Sequence, residues 1–180
     1  SVVDDERYVW LGWTGTGTIS YTGMDNPASV TMNSPITETA AWRHEYRLRM
    51  ATNYGTTTPS IGDHWYETGS IVAIDATPPS TIVGERYVWN GWTGTGTISY
   101  TGMDNPASVT MNSPINETAS WIHQFYLTVL TDPVGLSPAP TPSSNWYNAG
   151  TNVTLTAQSV IGYNFCLLYT SPSPRDRTRS

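Results

Sequence analysis

The chain has 180 residues, 12% of them charged, with a formal net charge of -6 and a pI near 4.8. All 8 basic residues are Arg, too few among 14 acids to give the cationic footprint that binding to phosphate backbones requires. No apolar run reaches the roughly 18–20 residues of a membrane-crossing helix, and the lack of Lys removes Schiff-base and Walker-type chemistry. No nucleic-acid partner and no membrane insertion are therefore expected within this segment.

An internal repeat organises everything else. Residues 6–42 recur at 85–121, and only Leu11/Asn90, Thr37/Asn116 and Ala41/Ser120 differ. The following segment recurs more loosely. Glu45-Tyr46-Arg47-Leu48-Arg49-Met50 matches Gln124-Phe125-Tyr126-Leu127-Thr128-Val129, and Trp65-Tyr66-Glu67-Thr68-Gly69 matches Trp146-Tyr147-Asn148-Ala149-Gly150. The expected organisation is the C-terminal half of a repeat at 1–42, one complete repeat at 43–121, and the N-terminal half of a further repeat at 122–165. All 8 Trp fall on four equivalent pairs: Trp10/Trp89, Trp13/Trp92, Trp42/Trp121 and Trp65/Trp146. Recurrence in register marks large aromatics as fold-defining before site-defining. Residues 166–180 leave the pattern, hold the lone Cys and three of the 8 Arg, and resemble translated adapter sequence; they are read as a non-native tail. Without them the chain is Cys-free, so its core must come from aromatics and aliphatics rather than disulfides.

Along the complete repeat, Tyr46, Leu48 and Met50 alternate with Arg47 and Arg49, the period-two pattern of a half-buried strand. Residues 54–64 are rich in Gly, Thr and Pro and read as a loop. Val72, Ile74 and Ala76 form a second inward face, ended by Pro78 and Pro79, and echoed by Val153, Leu155 and Ala157. Residues 86–92 make a third strand with Tyr87 and Trp89 on one side, followed by a turn-prone stretch at 93–97. Strands at 107–111 and 115–121 complete the repeat. No segment carries a 3.6-residue apolar period. The fold class is all-β: tandem small β-sheet domains of about five short strands each, truncated at both ends. Only Arg43 and His44 separate the last strand of one repeat from the first of the next, which limits the angles between them.

Three motifs then carry a resemblance: Tyr87-Val88-Trp89-Asn90-Gly91-Trp92-Thr93-Gly94, Ala107-Ser108-Val109-Thr110-Met111, and Glu117-Thr118-Ala119-Ser120-Trp121. Together with Trp65-Tyr66 and Gly69 they resemble the divergent InlB B-repeat domains, also called bacterial repeat domains, of secreted and cell-surface proteins. The resemblance spans residues 1–165. It implies tandem β domains in large exported proteins, with no catalytic residues to carry over; the related listerial B repeats are β-grasp-like with a helix.

No catalytic, cofactor-binding or metal-binding set emerges from the residues. His44 and His123 are repeat equivalents beside the junction, where a hydrogen bond is the expected role, and His64 stands alone. Asp4, Asp5 and Glu6 with Asp25, or Asp104 with Glu85, are oxygen donors without a Ca²⁺-loop motif and read as solvated acids. Trp65, Tyr66, Trp146 and Tyr147 are the candidate ligand-stacking aromatics; sugar binding would need them, with Trp13 and Trp92, in an exposed patch. Asn116 and Asn152 fit the N-glycosylation pattern. The expected function is a non-catalytic stalk or spacer module, extracellular or at a cell surface, whose partners are neighbouring repeats of the same chain. The alternatives are a carbohydrate-binding or adhesion module with surface polysaccharide as partner, or accessory repeats of a large exported enzyme.

Overall fold

The computed structural model describes residues 2, 3, 5–159 and 162. The expected tail at 166–180 and Asp4 lie outside them. The described residues are all β, with no helix among them. Two compact units result. One joins residues up to Ile82 with Arg86–His123, and the other joins Val83–Glu85 with the chain from Gln124 onward.

The strands up to the second unit are β1 (Val2–Val3), β2 (Glu6–Thr16), β3 (Thr37–Thr52), β4 (Thr56–Thr58), β5 (Gly62–Glu67), β6 (Ile71–Thr77), β7 (Glu85–Thr95), β8 (Ala107–Thr110) and β9 (Ile115–Leu127); Glu85 of β7 and Gln124–Leu127 of β9 belong to the second unit, the rest to the first. β2 lies antiparallel on β3 from Glu6↔Tyr46 to Thr16↔Thr37. β5 lies antiparallel on β3 from Glu45↔Glu67 to Met50↔Gly62. β9 runs parallel to β3 from Leu48↔Ile115 to Thr52↔Ala119, and β7 pairs β9. A second sheet has the order β4-β6-β8. The Asn53 side chain extends the β3–β9 ladder: its Nδ2 donates to the Trp121 carbonyl and its Oδ1 accepts from the Trp121 N–H, both at 2.9 Å.

Some strands differ from the sequence expectation. β4 and β5 form inside or just after the stretch read as a loop, because β3 and β6 offer them free ladder edges. The junction at Arg43 and His44 is not a break at all: β3 passes through it.

The core gathers where the two sheets face each other. Leu48, Met50, Val72, Ile74 and Ala76, the expected inward faces, meet Trp92, Val109, Met111, Ile115 and Trp121. At about 25 cal/mol per Å², the apolar surface buried between the sheets stabilises the unit. Two glycines explain the Gly-Trp-x-Gly motif. Gly91, at φ +96°, holds a backbone that L side chains rarely adopt, and an added Cβ would lie 2.8 Å from the Gly102 carbonyl oxygen. In the other copy the equivalent Gly12 sits at a β-bulge, which accommodates Leu11 as an extra residue and shifts the register. Trp92 packs in one cluster with Tyr87 and Trp89. Gly94 leaves room for a carboxylate: a Cβ there would stand 2.5 Å from Glu117 Oε1.

The first copy repeats this sequence without the same cover. Trp42 is 54% exposed where Trp121 is 7%, and Met32 is 69% exposed where Met111 is 0%. The reason is supply: β4, β6 and the later half of β3 come from the segment between the copies and pack on the second.

In the second unit, β10 (Asn145–Asn148) pairs antiparallel with the end of β9, from Asn145↔Leu127 to Asn148↔Gln124. The strand expected around Val153, Leu155 and Ala157 does not form; among the described residues this stretch makes a single bridge, Thr141↔Thr156. A ladder needs a partner edge, and β6 has two where this stretch has, among the described residues, only that bridge.

Candidate functional site

The feature that distinguishes this chain chemically is the joint where the first copy passes into the second. β3 alternates around the joint, so Glu45, Arg47 and Arg49 share one face while Trp42, His44 and Tyr46 share the other. β2 contributes Arg7 opposite Glu45, and Tyr8 opposite His44.

The charged face is a compact network. Glu45 is only 3% exposed and accepts from Arg7 Nε at 2.6 Å on Oε2 and from Arg43 Nε at 2.6 Å on Oε1. Burial pushes the Glu45 carboxyl up, but hydrogen bonds and charge from Arg7 and Arg43 outweigh it and hold the group below its ordinary range. The Arg7 and Arg43 side chains that pair with it are themselves more than a third exposed (36% and 39%). Arg47 reaches Asp5 at 2.5 Å and Asp63 at 3.8 Å, and Arg49 reaches Asp63 at 3.8 Å. Four of the 8 Arg thus stand at one joint. Arg7 also lies over the Trp65 ring, 4.6 Å from its centroid, joining β2 of one copy to β5 of the next.

The opposite face is an aromatic ladder. Tyr8 stacks on His44 at 4.4 Å and 6°, His44 meets Tyr46 at 4.5 Å, and Trp10 meets Trp42 edge-on at 4.9 Å. His44 Nε2 stands 3.5 Å from a Glu6 oxygen. The expected junction hydrogen bond is therefore subordinate to ring stacking at this position. His123 stacks on Tyr87 in the same way, at 4.4 Å and 12°. His64 has its Nε2 2.6 Å from the Ser60 carbonyl oxygen, within its own hairpin.

The sequence-derived candidates fall in both units. Trp65 lies on the charged face under Arg7, whereas Tyr66 packs against the core, where burial raises its phenol pKa. Trp146 and Tyr147 lie on β10 of the second unit, with Trp146 5.2 Å from the Tyr126 ring. Trp13 is half-buried, and Trp92 is 2% exposed in the core, which removes Trp92 from any surface patch. Asn116 is exposed and donates to Thr95 Oγ1 at 3.1 Å; Asn152 is exposed outside any strand. Asp5 and Glu6 face Arg47 and His44, and no group of three or more potential metal ligands occurs among the described residues.

Glu45, Arg7 and Arg43 escaped the reading of the sequence. For Glu45 and Arg43 the signal was present: the next copy has Gln124 and Ile122 in their places, so these two charges belong to this joint, whereas Arg7 recurs as Arg86. Glu117 was also missed. It is 0% exposed, its Oε1 accepts from the Tyr100 N–H at 2.7 Å, and its Oε2 has no partner. Burial, against the pull of that one hydrogen bond, pushes its pKa up to about 7.

Compared with known proteins, residues 46–124 match the family model of the divergent InlB B-repeat domain. No curated protein and no solved structure matches the chain. The match begins at Tyr46, inside β3, and ends at Gln124, inside β9, so the family unit starts and stops within continuous strands. The divergent InlB B-repeat is a non-catalytic repeat domain, typical of surface and secreted bacterial proteins.

Proposed function

We propose that the divergent InlB B-repeat at 46–124 and the flanking half-repeats form a stalk or spacer segment of a secreted or cell-surface protein, with neighbouring repeats as its partners. One observation carries the reading: β3 runs unbroken from Thr37 to Thr52, so copy meets copy inside a hydrogen-bonded strand rather than across a linker. The Arg7–Glu45–Arg43 bridge and the Arg7–Trp65 contact tie strands of both copies across that point. A joint held by backbone ladder, ion pairs and ring stacking resists bending, which suits a module that sets distance.

The placement of Trp65 weighs the same way. A sugar ring stacking on it would displace the guanidinium of Arg7 and leave Glu45 with one partner fewer. The domain boundaries at 42/43 and 121/122 belong to the same proposal, with each module sharing a strand with the next.

Small-angle scattering on proteins of two and three tandem copies tests it. The maximum dimension should grow by roughly 30 Å per added copy, the size of a compact unit of this length. A globule whose dimension barely grows would overturn the reading.

A further inference from the structure

Glu117 fastens the loop at residues 96–101, between β7 and β8, to the body of the repeat. The base of this loop is fixed. Trp92 and Gly102 exchange backbone hydrogen bonds at 2.8 and 3.2 Å, and the Asn105 side chain clamps the Ala76 backbone, accepting at 2.9 Å and donating at 2.7 Å. Between those anchors, the Tyr100 N–H donates to Glu117 Oε1 at 2.7 Å, and Glu117 is fully covered. The neighbouring bonds are solvent-exposed: the Gly94 N–H donates to Thr101 Oγ1 at 3.1 Å, and the Thr97 N–H donates to Ser113 Oγ at 2.9 Å.

The same bond holds the equivalent loop of the first copy, where the Tyr21 N–H donates to Glu38 Oε1 at 2.8 Å. In both loops an isoleucine sits in left-handed backbone, Ile98 at φ +64° and Ile19 at φ +69°, a strain that a β-branched residue sheds when the loop lifts. Nothing beside Glu117 compensates a negative charge. The ionisable groups on its side of the adjoining elements are Tyr46 of β3, Tyr87 of β7, Tyr100 of the loop and His123 farther along β9. Arg47 and Arg49 alternate to the far face of β3, and Asp75 to the far face of β6. Among the described residues no ion pair includes Glu117, and its Oε2 has no partner.

We propose that Glu117 is a proton-controlled latch: as the acid it keeps residues 96–101 seated, and as the carboxylate it lets them lift so that water reaches the charge. Sealing an unpaired carboxylate away from water costs more than giving up a few exposed hydrogen bonds, so the loop yields before the sheets do. Burial raises the Glu117 pKa to about 7, against the pull of the Tyr100 bond. The proton therefore favours the seated loop fully below pH 4.5, and that preference is lost as pH rises to about 7. The device goes beyond the spacer reading and does not depend on it.

Native-state amide hydrogen exchange on the full chain tests it, with Glu117→Gln as the reference that keeps the acceptor and cannot ionise. Taking the ratio of parent to variant at each pH cancels the base catalysis common to both. At the Tyr100 amide the ratio should lie within about twofold of one at pH 4.5, climb about tenfold per pH unit, and level off near pH 7. The Trp92 and Gly102 amides at the fixed base should show no such climb. A Tyr100 ratio that stays flat to pH 8 would overturn the proposal. So would Trp92 and Gly102 climbing in step with Tyr100, because the whole unit would then be opening. If Glu117→Gln does not fold, the Tyr100 rate relative to Gly102 within the parent gives the same reading: a rise with pH supports the latch, and a constant ratio refutes it.

Discussion

Replacing Glu117 by Gln removes, among the described residues, the buried carboxyl that no ion pair neutralises. Glu117 is fully covered, holds a single hydrogen bond from the Tyr100 N–H, and sits against Gly94 in the space a larger residue would fill. Its pKa rises from 4.5 to about 7 on folding. Below pH 4.5 the group is protonated in both states and folding carries no penalty. Between 4.5 and about 7 the unfolded chain releases the proton and the folded chain keeps it, so stability falls as pH rises. The full loss is on the order of 3 kcal/mol, since a tenfold change in proton affinity is worth about 1.4 kcal/mol. Gln keeps the acceptor for Tyr100 and, like the protonated acid, carries no charge. The variant should therefore match the parent near pH 4.5 to within about 1 kcal/mol and exceed it by about 3 kcal/mol at pH 8. Urea unfolding at a series of pH values, followed by Trp fluorescence, gives both curves. The difference between them isolates Glu117 from groups such as Glu45, whose lowered pKa favours folding above its ordinary range and loses that contribution on acidification. If the two curves run parallel from pH 4.5 to 8, the carboxyl is ionised without cost in the fold and the reasoning fails.

Three further outcomes follow from the geometry. Trp121→Ala should cost about 3–5 kcal/mol and Trp42→Ala under about 1 kcal/mol, despite near-identical local sequence; equal losses in thermal melts would contradict the burial difference. In a double-mutant cycle of Arg7→Ala and Glu45→Gln, unfolding free energies should show a coupling of about 0.5–1.5 kcal/mol, the lower end reflecting the partly exposed guanidinium, and additive effects would count against the joint network. Ile98 holds φ +64° at the third position of a turn closed by Ser99 N–H and the Gly96 carbonyl, and its side chain is 53% exposed. Ile98→Asn should gain about 0.5–1 kcal/mol by relieving a β-branched residue in left-handed backbone, and a lowered melting temperature would refute that.

Much of the fold was legible in the residues. The alternation of Tyr46, Leu48 and Met50 with Arg47 and Arg49 reports a strand with one wet face, because side chains alternate across a ladder whatever the ladder pairs with. The recurrence of Trp92 and Trp121 with their first-copy equivalents marked them as fold residues, and in the second copy both are core. The joint was less legible. Arg43 and His44 read as a short junction between a strand ending at Trp42 and the next one, yet β3 carries them through, held by β2 on its edge. Glu45 looked like one surface acid among 14 until two guanidiniums from separate strands closed over it.

By itself the sequence determined the repeat and its period, the all-β class, and which side chains of 46–50 and 72–76 face inward. It did not determine what lies against those inward faces. Ala-Ser-Val-Thr is a strand at 107–110 and not at 28–31, and the same Trp is core at 121 and surface at 42. Those differences cannot reside in local preference, since the local sequences agree. They come from β6, β4 and the second half of β3, which supply ladder edges and apolar cover to one copy only. A strand and a core position are properties of pairs, and the tertiary structure decides which pairs exist.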